Sequence, residues 1–304
     1  MTTPILTLVI ALASLTPLAC AHGESQSAPA PATPPAASAA PTSVPALAVA
    51  PLTMTWDVNG VKREAIVYLP ATATTIPAPL VFAFHGHGGS GKQFARGSAF
   101  HKAWPEAIVV YPLGLPTAGM TDPKGLKAGW QCRDSSASNR DLAFFDAMLA
   151  GLKSQYTVDD RRIYSTGHSN GGGFTYFLWA QRAKLFAAFG PSAAGSAGAR
   201  DAELIARPLI HIAGDADTIV PIAMQQRTLT AAQRLNNCES DGEPWAQYCT
   251  EYPSTSGTPV VICLQPGGHS YYGKATELIV RFFKEHSLPV PAATPATPAA
   301  PATP

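Results

Sequence analysis

Charged side chains are scarce in this chain. Lys and Arg number 21 and Asp and Glu 20, together 13% of 304 residues, where about a quarter is usual. The formal net charge is +1, with no basic stripe and no acidic block, which argues against a nucleic-acid partner. Long apolar runs are missing as well. The opening Met1–Leu15 segment holds an apolar stretch of about a dozen residues, short of the roughly 20 that a membrane-spanning helix needs. No C-x-x-C spacing occurs, so a zinc site built from the cysteines is not expected. No internal repeat is visible.

The apolar start runs into Thr16-Pro-Leu-Ala-Cys20-Ala-His22, which suits cleavage by a signal peptidase. A small residue before a cysteine leaves two outcomes open: lipidation at Cys20, or ordinary secretion with cleavage near Ala21. From Ala28 to Pro51 the chain is almost entirely Ala, Pro, Ser and Thr, too poor in large apolar surface to offset its ordering entropy. The end of the chain repeats that composition. The expected organisation is therefore a signal peptide over 1–20, an extended linker over 21–51, one folded domain over 52–288 and a disordered tail over 289–304. Cys132, Cys238, Cys249 and Cys263 then remain, and in an exported domain they favour two disulfides with three possible pairings.

Within the domain, Thr53–Val58, Asn59-Gly60 and Arg63–Leu69 read as a β-hairpin with an Asn-Gly turn. The pattern then changes. Leu80–Phe84, Ala107–Tyr111 and Leu209–Ile212 are continuous apolar runs, suited to parallel strands buried on both faces. Further strands are predicted at Arg162–Thr166, Ala187–Gly190 and Pro259–Leu264. Helices are predicted at Asp141–Tyr156, Asn170–Arg182, Ile222–Leu235 and Lys274–His286. Such alternation gives an α/β fold, with a mostly parallel sheet covered by helices on both faces.

Gly167-His-Ser-Asn-Gly171 matches G-x-S-x-G between a predicted strand and a predicted helix, the setting of a nucleophile elbow. Ser169 would project its hydroxyl from a sharp turn that side chains at Gly167 or Gly171 would crowd. In such folds an acid and then a histidine follow the serine along the chain. His211 lies inside an apolar strand and reads as a core histidine, while His286 falls in the last helix, at its surface. His269, in Gln265-Pro-Gly-Gly-His-Ser270, follows a strand and precedes that helix, where the base must sit. Gly214-Asp-Ala-Asp-Thr-Ile-Val-Pro221 supplies the acid, with Asp217 preferred and Asp215 a turn-former. Backbone N–H groups of Asn170 and of His87, in the glycine-rich loop His85–Ser90, are the expected oxyanion donors. Gly86 to Lys92 also fits a phosphate-binding loop, but Gln93 stands where Ser or Thr should hold magnesium. His85 and His87 lack a convincing third ligand for a metal.

Gly129-Trp130 with Cys132, Arg140-Asp141 and Phe144, Tyr164-Ser-Thr-Gly-His-Ser-Asn-Gly-Gly172, Gly214-x-x-Asp217-x-x-Val220-Pro221 and Gly268-His269-Ser270 form a series. This series resembles the exported polyhydroxybutyrate depolymerase, feruloyl esterase and acetylxylan esterase group of α/β-hydrolases, over about Val58 to Phe283. The resemblance implies an α/β-hydrolase sandwich with little lid, no cofactor, and nucleophile, acid and base at Ser169, Asp217 and His269. The chain departs from those relatives in having Ser270-Tyr271-Tyr272-Gly273 after the base, where His-x-Trp-Pro-Gly is frequent. Of the three cysteine pairings, Cys238–Cys249 with Cys132–Cys263 is the one expected. Trp130, Trp245, Tyr271 and Tyr272 are candidates for lining an acyl or sugar platform.

The expected activity is that of an exported serine esterase on feruloyl or acetyl esters of plant polysaccharide. A polyhydroxyalkanoate depolymerase is the second reading, and a catalytically silent tethered binding protein the third. The expected partners are an ester substrate, polysaccharide or polyester, with membrane contact only through a lipid on Cys20. The protein is expected to be a monomer.

Overall fold

A computed structural model describes residues 50–133, 139–196 and 204–290. The expected leader with Cys20, nearly all of the linker and nearly all of the tail lie outside the described residues. The described part opens with the hairpin of β1 (Leu52–Val58) and β2 (Val61–Tyr68), in which Val58 pairs with Val61. Asn59 and Gly60 both take positive φ, 53° and 78°, as the tight turn of a right-twisted hairpin requires. Asp57 supports the turn by accepting from the Gly60 N–H at 2.9 Å.

Next come β3 (Ala78–Phe84), α1 (Gly91–Ser98), the single turn α2 (Phe100–Ala103) and β4 (Ile108–Pro112). Two short strands, β5 (Leu115–Pro116) and β6 (Ala128–Gly129), pair with each other in the connection to α3 (Arg140–Gln155). The chain continues through β7 (Val158–His168), α4 (Asn170–Arg182), β8 (Ala188–Ser192), β9 (Leu209–Gly214) and α5 (Ile222–Leu235). It closes with β10 (Glu243–Ala246), β11 (Cys249–Tyr252), β12 (Val260–Gln265) and α6 (Ala275–Lys284).

Ten strands form one sheet in the order β1-β2-β4-β3-β7-β8-β9-β12-β11-β10. The neighbours from β4 to β12 run parallel, and the pairs outside them are antiparallel. Burial explains why the middle strands carry no polar alternation. Every residue of β3, β4, β8 and β9 is buried. In β3, Leu80, Phe82 and Phe84 pack towards α3 and α4, while Val81 and Ala83 pack towards α1, α2 and α6. The expected helix-covered parallel sheet is thus present.

Buried ionic contacts fasten the outer hairpin to the middle. Arg63 of β2 donates to Asp141 of α3 at 2.8 Å, and its guanidinium lies 4.1 Å from the Phe144 ring centre. The other Asp141 oxygen accepts from the Gln131 N–H at 2.9 Å, so one carboxylate ties α3 to two segments. Asn139 caps α3, its side chain accepting from the Asp141 and Leu142 N–H groups.

The cysteine pairing differs from expectation. Cys249 and Cys263 sit opposite each other on the antiparallel strands β11 and β12 and form a disulfide. The expected pairs Cys238–Cys249 and Cys132–Cys263 are therefore wrong, because the register of two strands that sequence spacing does not encode brings Cys249 to Cys263. Cys132 and Cys238 are free thiols. His286 also differs: α6 ends at Lys284, and His286 is half-buried beyond it, its Nδ1 2.7 Å from the Phe282 carbonyl.

Candidate active site

Ser169, Asp217 and His269 follow the C-terminal ends of β7, β9 and β12, three parallel strands of the central sheet. Ser169 stands at the start of α4 with φ 56° and ψ −120°, a backbone state that costs a non-glycine residue roughly 1–3 kcal/mol. Its surroundings enforce that state. The Ser169 N–H donates to the Ser192 carbonyl at 2.8 Å, and its carbonyl accepts from the Gly173 N–H at 2.9 Å. A Cβ at Gly171 would land on the Phe84 carbonyl oxygen, and one at Gly167 would come within 2.5 Å of the Gly171 backbone. The glycines are steric necessities of the turn.

The Ser169 hydroxyl donates to His269 Nε2 at 2.7 Å, and His269 Nδ1–H donates to Asp217 Oδ2 at 2.8 Å. Asp217 is buried, and burial alone would push its carboxyl up. Hydrogen bonds from His269, Val220 and Ile219 outweigh that and hold it below the usual carboxylate range. Asp215 makes no contact with His269 and instead accepts from the Gly267 N–H at 3.0 Å, tying the loop after β9 to the loop after β12. His168 packs beside His269 with ring centres 5.2 Å apart. Burial, and secondarily the neighbouring imidazole of His269, push it down to about 4, so it stays neutral.

His87 and Asn170, the residues expected to supply oxyanion donors, lie close together beside the serine turn. A Cβ at Gly86 would sit 3.5 Å from Ser169 Cβ, so the loop carrying His87 runs against the serine. Gly129 lies between them: a Cβ there would be 2.7 Å from His87 Nδ1 and 2.9 Å from Asn170 Oδ1. The Gly88 N–H donates to the Ala128 carbonyl at 2.7 Å, and the His87 ring contacts Asp122 at 3.3 Å, which fixes the loop from the β5–β6 side. His85 donates from Nδ1 to the Gly86 carbonyl and accepts from the Gly114 N–H at Nε2. Asn170 holds the other side. Its side chain accepts from the Trp130 N–H at 2.7 Å and donates to the Trp130 carbonyl at 3.1 Å. Cys132 lies against the same turn, with burial pushing its thiol up to about 12.

The aromatic candidates fare less well. Trp130 is buried, its indole N–H donating to the His85 carbonyl and its ring packed on Phe84 and Phe174, so it supports the His85–Ser90 loop from within. Trp245 lies under Arg281 and against Phe282 of α6. Tyr271 bonds Thr276 through its hydroxyl and presents its ring to His168 and Phe94, a packing role beside the base. Tyr272, half-buried, packs against the core beneath α6. Sequence reasoning missed Asp122, Ser192 and Gln225, whose side-chain amide donates to Asp217 Oδ2 at 3.2 Å. None belongs to a motif, and only their folded neighbours disclose them.

No family model matches the chain. Over 205 residues it is 30% identical to feruloyl esterase D of Neurospora crassa, covering 63% of this chain and 66% of that protein. It is 34% identical over 130 residues to probable feruloyl esterase C of Aspergillus clavatus, covering 41% of this chain and 44% of the relative. A bifunctional acetylxylan esterase/xylanase of Neocallimastix patriciarum is 24% identical over 194 residues, 62% of this chain and 26% of that protein. The chain thus spans just under two thirds of the first relative and less than half of the other two. Among solved structures, acetyl xylan esterase from Aspergillus awamori superposes with a TM-score of 0.60 at 14% identity, covering 78% of this chain and 99% of that one. A ferulic acid esterase gives a TM-score of 0.55 at 16% identity, covering 77% and 97%. With its sheet order, its strained serine turn and these likenesses, the chain has the α/β-hydrolase fold and is similar in sequence to feruloyl esterases and an acetylxylan esterase.

Proposed function

We propose that the protein is a serine carboxylic-ester hydrolase acting on feruloyl or acetyl esters of plant polysaccharide. The observation that carries this reading is the continuous contact from Ser169 through His269 to Asp217, beside two N–H-bearing turns. His269 Nε2 takes the Ser169 proton as the serine oxygen attacks the ester carbonyl. The N–H groups of His87 and Asn170, the latter at the positive end of α4, receive the oxyanion. Collapse expels the alcohol, which takes the proton from His269. Water then gives a proton to His269 and attacks the acyl-enzyme, and Ser169 leaves with that proton as the acid is released. Asp217 stays ionised throughout, holding the His269 tautomer and balancing the imidazolium.

The substrate class is supported by the feruloyl and acetylxylan esterase relatives. A polyester-binding patch of exposed aromatics would favour the depolymerase reading; among the described residues Tyr248 is the only exposed Phe, Tyr or Trp. The experiment is a panel of methyl ferulate, acetylated xylan, polyhydroxybutyrate and nitrophenyl esters, with fluorophosphonate labelling of wild type and Ser169→Ala. Labelling of wild type alone, with turnover of the ferulate or acetyl esters, is expected. Turnover of polyhydroxybutyrate alone overturns the substrate class, and an unlabelled wild type overturns the enzyme in favour of a binding protein. Export is part of the proposal, and the Cys249–Cys263 disulfide suits an oxidising compartment. Mass analysis of the mature N-terminus separates a lipidated Cys20 from a free one.

A further inference from the structure

The Asp217 carboxylate is the end point of a buried polar file that the acyl-transfer steps do not use. Gln225, fully buried on α5, contacts Asp217 Oδ2 at 3.2 Å and the Val220 carbonyl at 2.6 Å through Nε2. Its Oε1 lies 2.8 Å from His211 Nε2, and His211 Nδ1 lies 2.8 Å from the Tyr176 hydroxyl. His211 on β9 is fully buried and Tyr176 on α4 nearly so.

Donor and acceptor chemistry fixes the direction of every link. An ionised carboxylate and a carbonyl can only accept, so both contacts of the Gln225 amide nitrogen are donated by it. Its oxygen therefore faces His211, whose Nε2 must carry the proton. The opposite ring nitrogen is then bare and accepts from the Tyr176 O–H. Burial keeps His211 neutral, as this tautomer requires. Three donors in series point one way, and hydrogen bonds so arranged polarise one another.

We propose that Tyr176, His211 and Gln225 form a one-way donor chain that positions Asp217 and, through it, the base His269. The proposal rests on the serine-hydrolase reading above. Gln225 and His269 donate to the same oxygen, Oδ2, while the Ile219 and Val220 N–H groups hold Oδ1, so the carboxylate cannot rotate about its bond to Cβ without breaking several bonds. Gln225 and its two followers are positioning residues, since none touches the serine. The other ionisable groups facing this unit are His168 from β7, Tyr271 behind His168, and Asp215 on the acid loop.

The test compares Gln225→Met, which keeps the volume and removes the donor, with Tyr176→Phe, which deletes a single hydroxyl. Misplacing the acid is expected to lower kcat about 10-fold to 100-fold in Gln225→Met with KM unchanged, and less in Tyr176→Phe. The acid limb of the pH profile of kcat/KM should move in both. A readout independent of turnover is the low-field proton resonance of His269 Nδ1–H, which should shift in both variants and vanish in Asp217→Asn. Folded variants with wild-type kcat, pH profile and resonance would make the file simple core filling and overturn the proposal. Should Gln225→Met not fold, Tyr176→Phe decides alone. An unlabelled, inactive wild type that nevertheless shows the resonance shifts would sink the hydrolase reading and leave the donor chain standing.

Discussion

At the scale of single residues, the site depends on atoms whose roles are set by what surrounds them. Asp217 is ionised because hydrogen bonds outweigh its burial, so it can orient His269 without taking its proton. Asp217→Asn keeps the shape but presents an amide that favours the wrong imidazole tautomer, and kcat is expected to fall by about 10⁴. Steady-state kinetics on a nitrophenyl ester measures this, and a loss below tenfold would refute the assigned role. The contact among Ser169, Asp217 and His269 was legible because motif, chain order and flanking glycines all point to these positions. Trp130 was not. Its ring belongs to the core because Asn170 captures its backbone, a contact made across a sequence separation of 40. Gln225 was equally silent: a glutamine one turn into a helix carries no sign of the carboxylate it meets.

At the scale of elements, punctuation decided what could be read. Helices α4 and α5 have the predicted bounds because Ser169 and Pro221 mark their starts. Strands β10 and β11 were missed, being short, at the sheet margin and only partly buried, with Pro244 inside the first. For α3 the cap is worth a number. Asn139→Ala removes the acceptor for two N–H groups of the first turn and should cost about 1 kcal/mol. Chemical denaturation reads this directly; an unchanged midpoint would show that Gln131, whose side chain accepts from the Arg140 N–H, caps the helix unaided.

At the scale of the whole molecule, two features bear on stability. The Cys249–Cys263 bridge spans a sequence separation of 14 and restricts the unfolded chain. Its loss in Cys249→Ser/Cys263→Ser should cost about 3 kcal/mol. Peptide mapping without reductant should recover that pair, and a peptide linked through Cys132 would contradict it. The second feature is a set of buried histidines. His101, His168 and His211 are each pushed down to about 4 by burial. Unfolded, they titrate near 6.5, so between these values the unfolded chain binds more protons. Their contribution is complete above about 6.5 and lost as pH falls towards 4, at a limiting slope of about 1.4 kcal/mol per pH unit for each. Urea midpoints at pH 7 and pH 5 test this, and equal midpoints would disprove it. Of these, only the buried His211 was readable beforehand, from the apolar strand around it; the Cys249–Cys263 pair and the burial of His101 and His168 depend on strand register and on distant segments meeting.

The segment between β4 and α3 has a consequence for where this fold can vary. Met120 and Leu126 face solvent there, while the same excursion reaches His87 through Asp122 and Gly88 through Ala128. The alcohol, imidazole and carboxylate are mounted on other strands. Substitutions at Met120 or Leu126 can therefore alter the surface of this segment while the alcohol, imidazole and carboxylate keep their alignment, so variation and constancy are assigned to separate stretches of one chain.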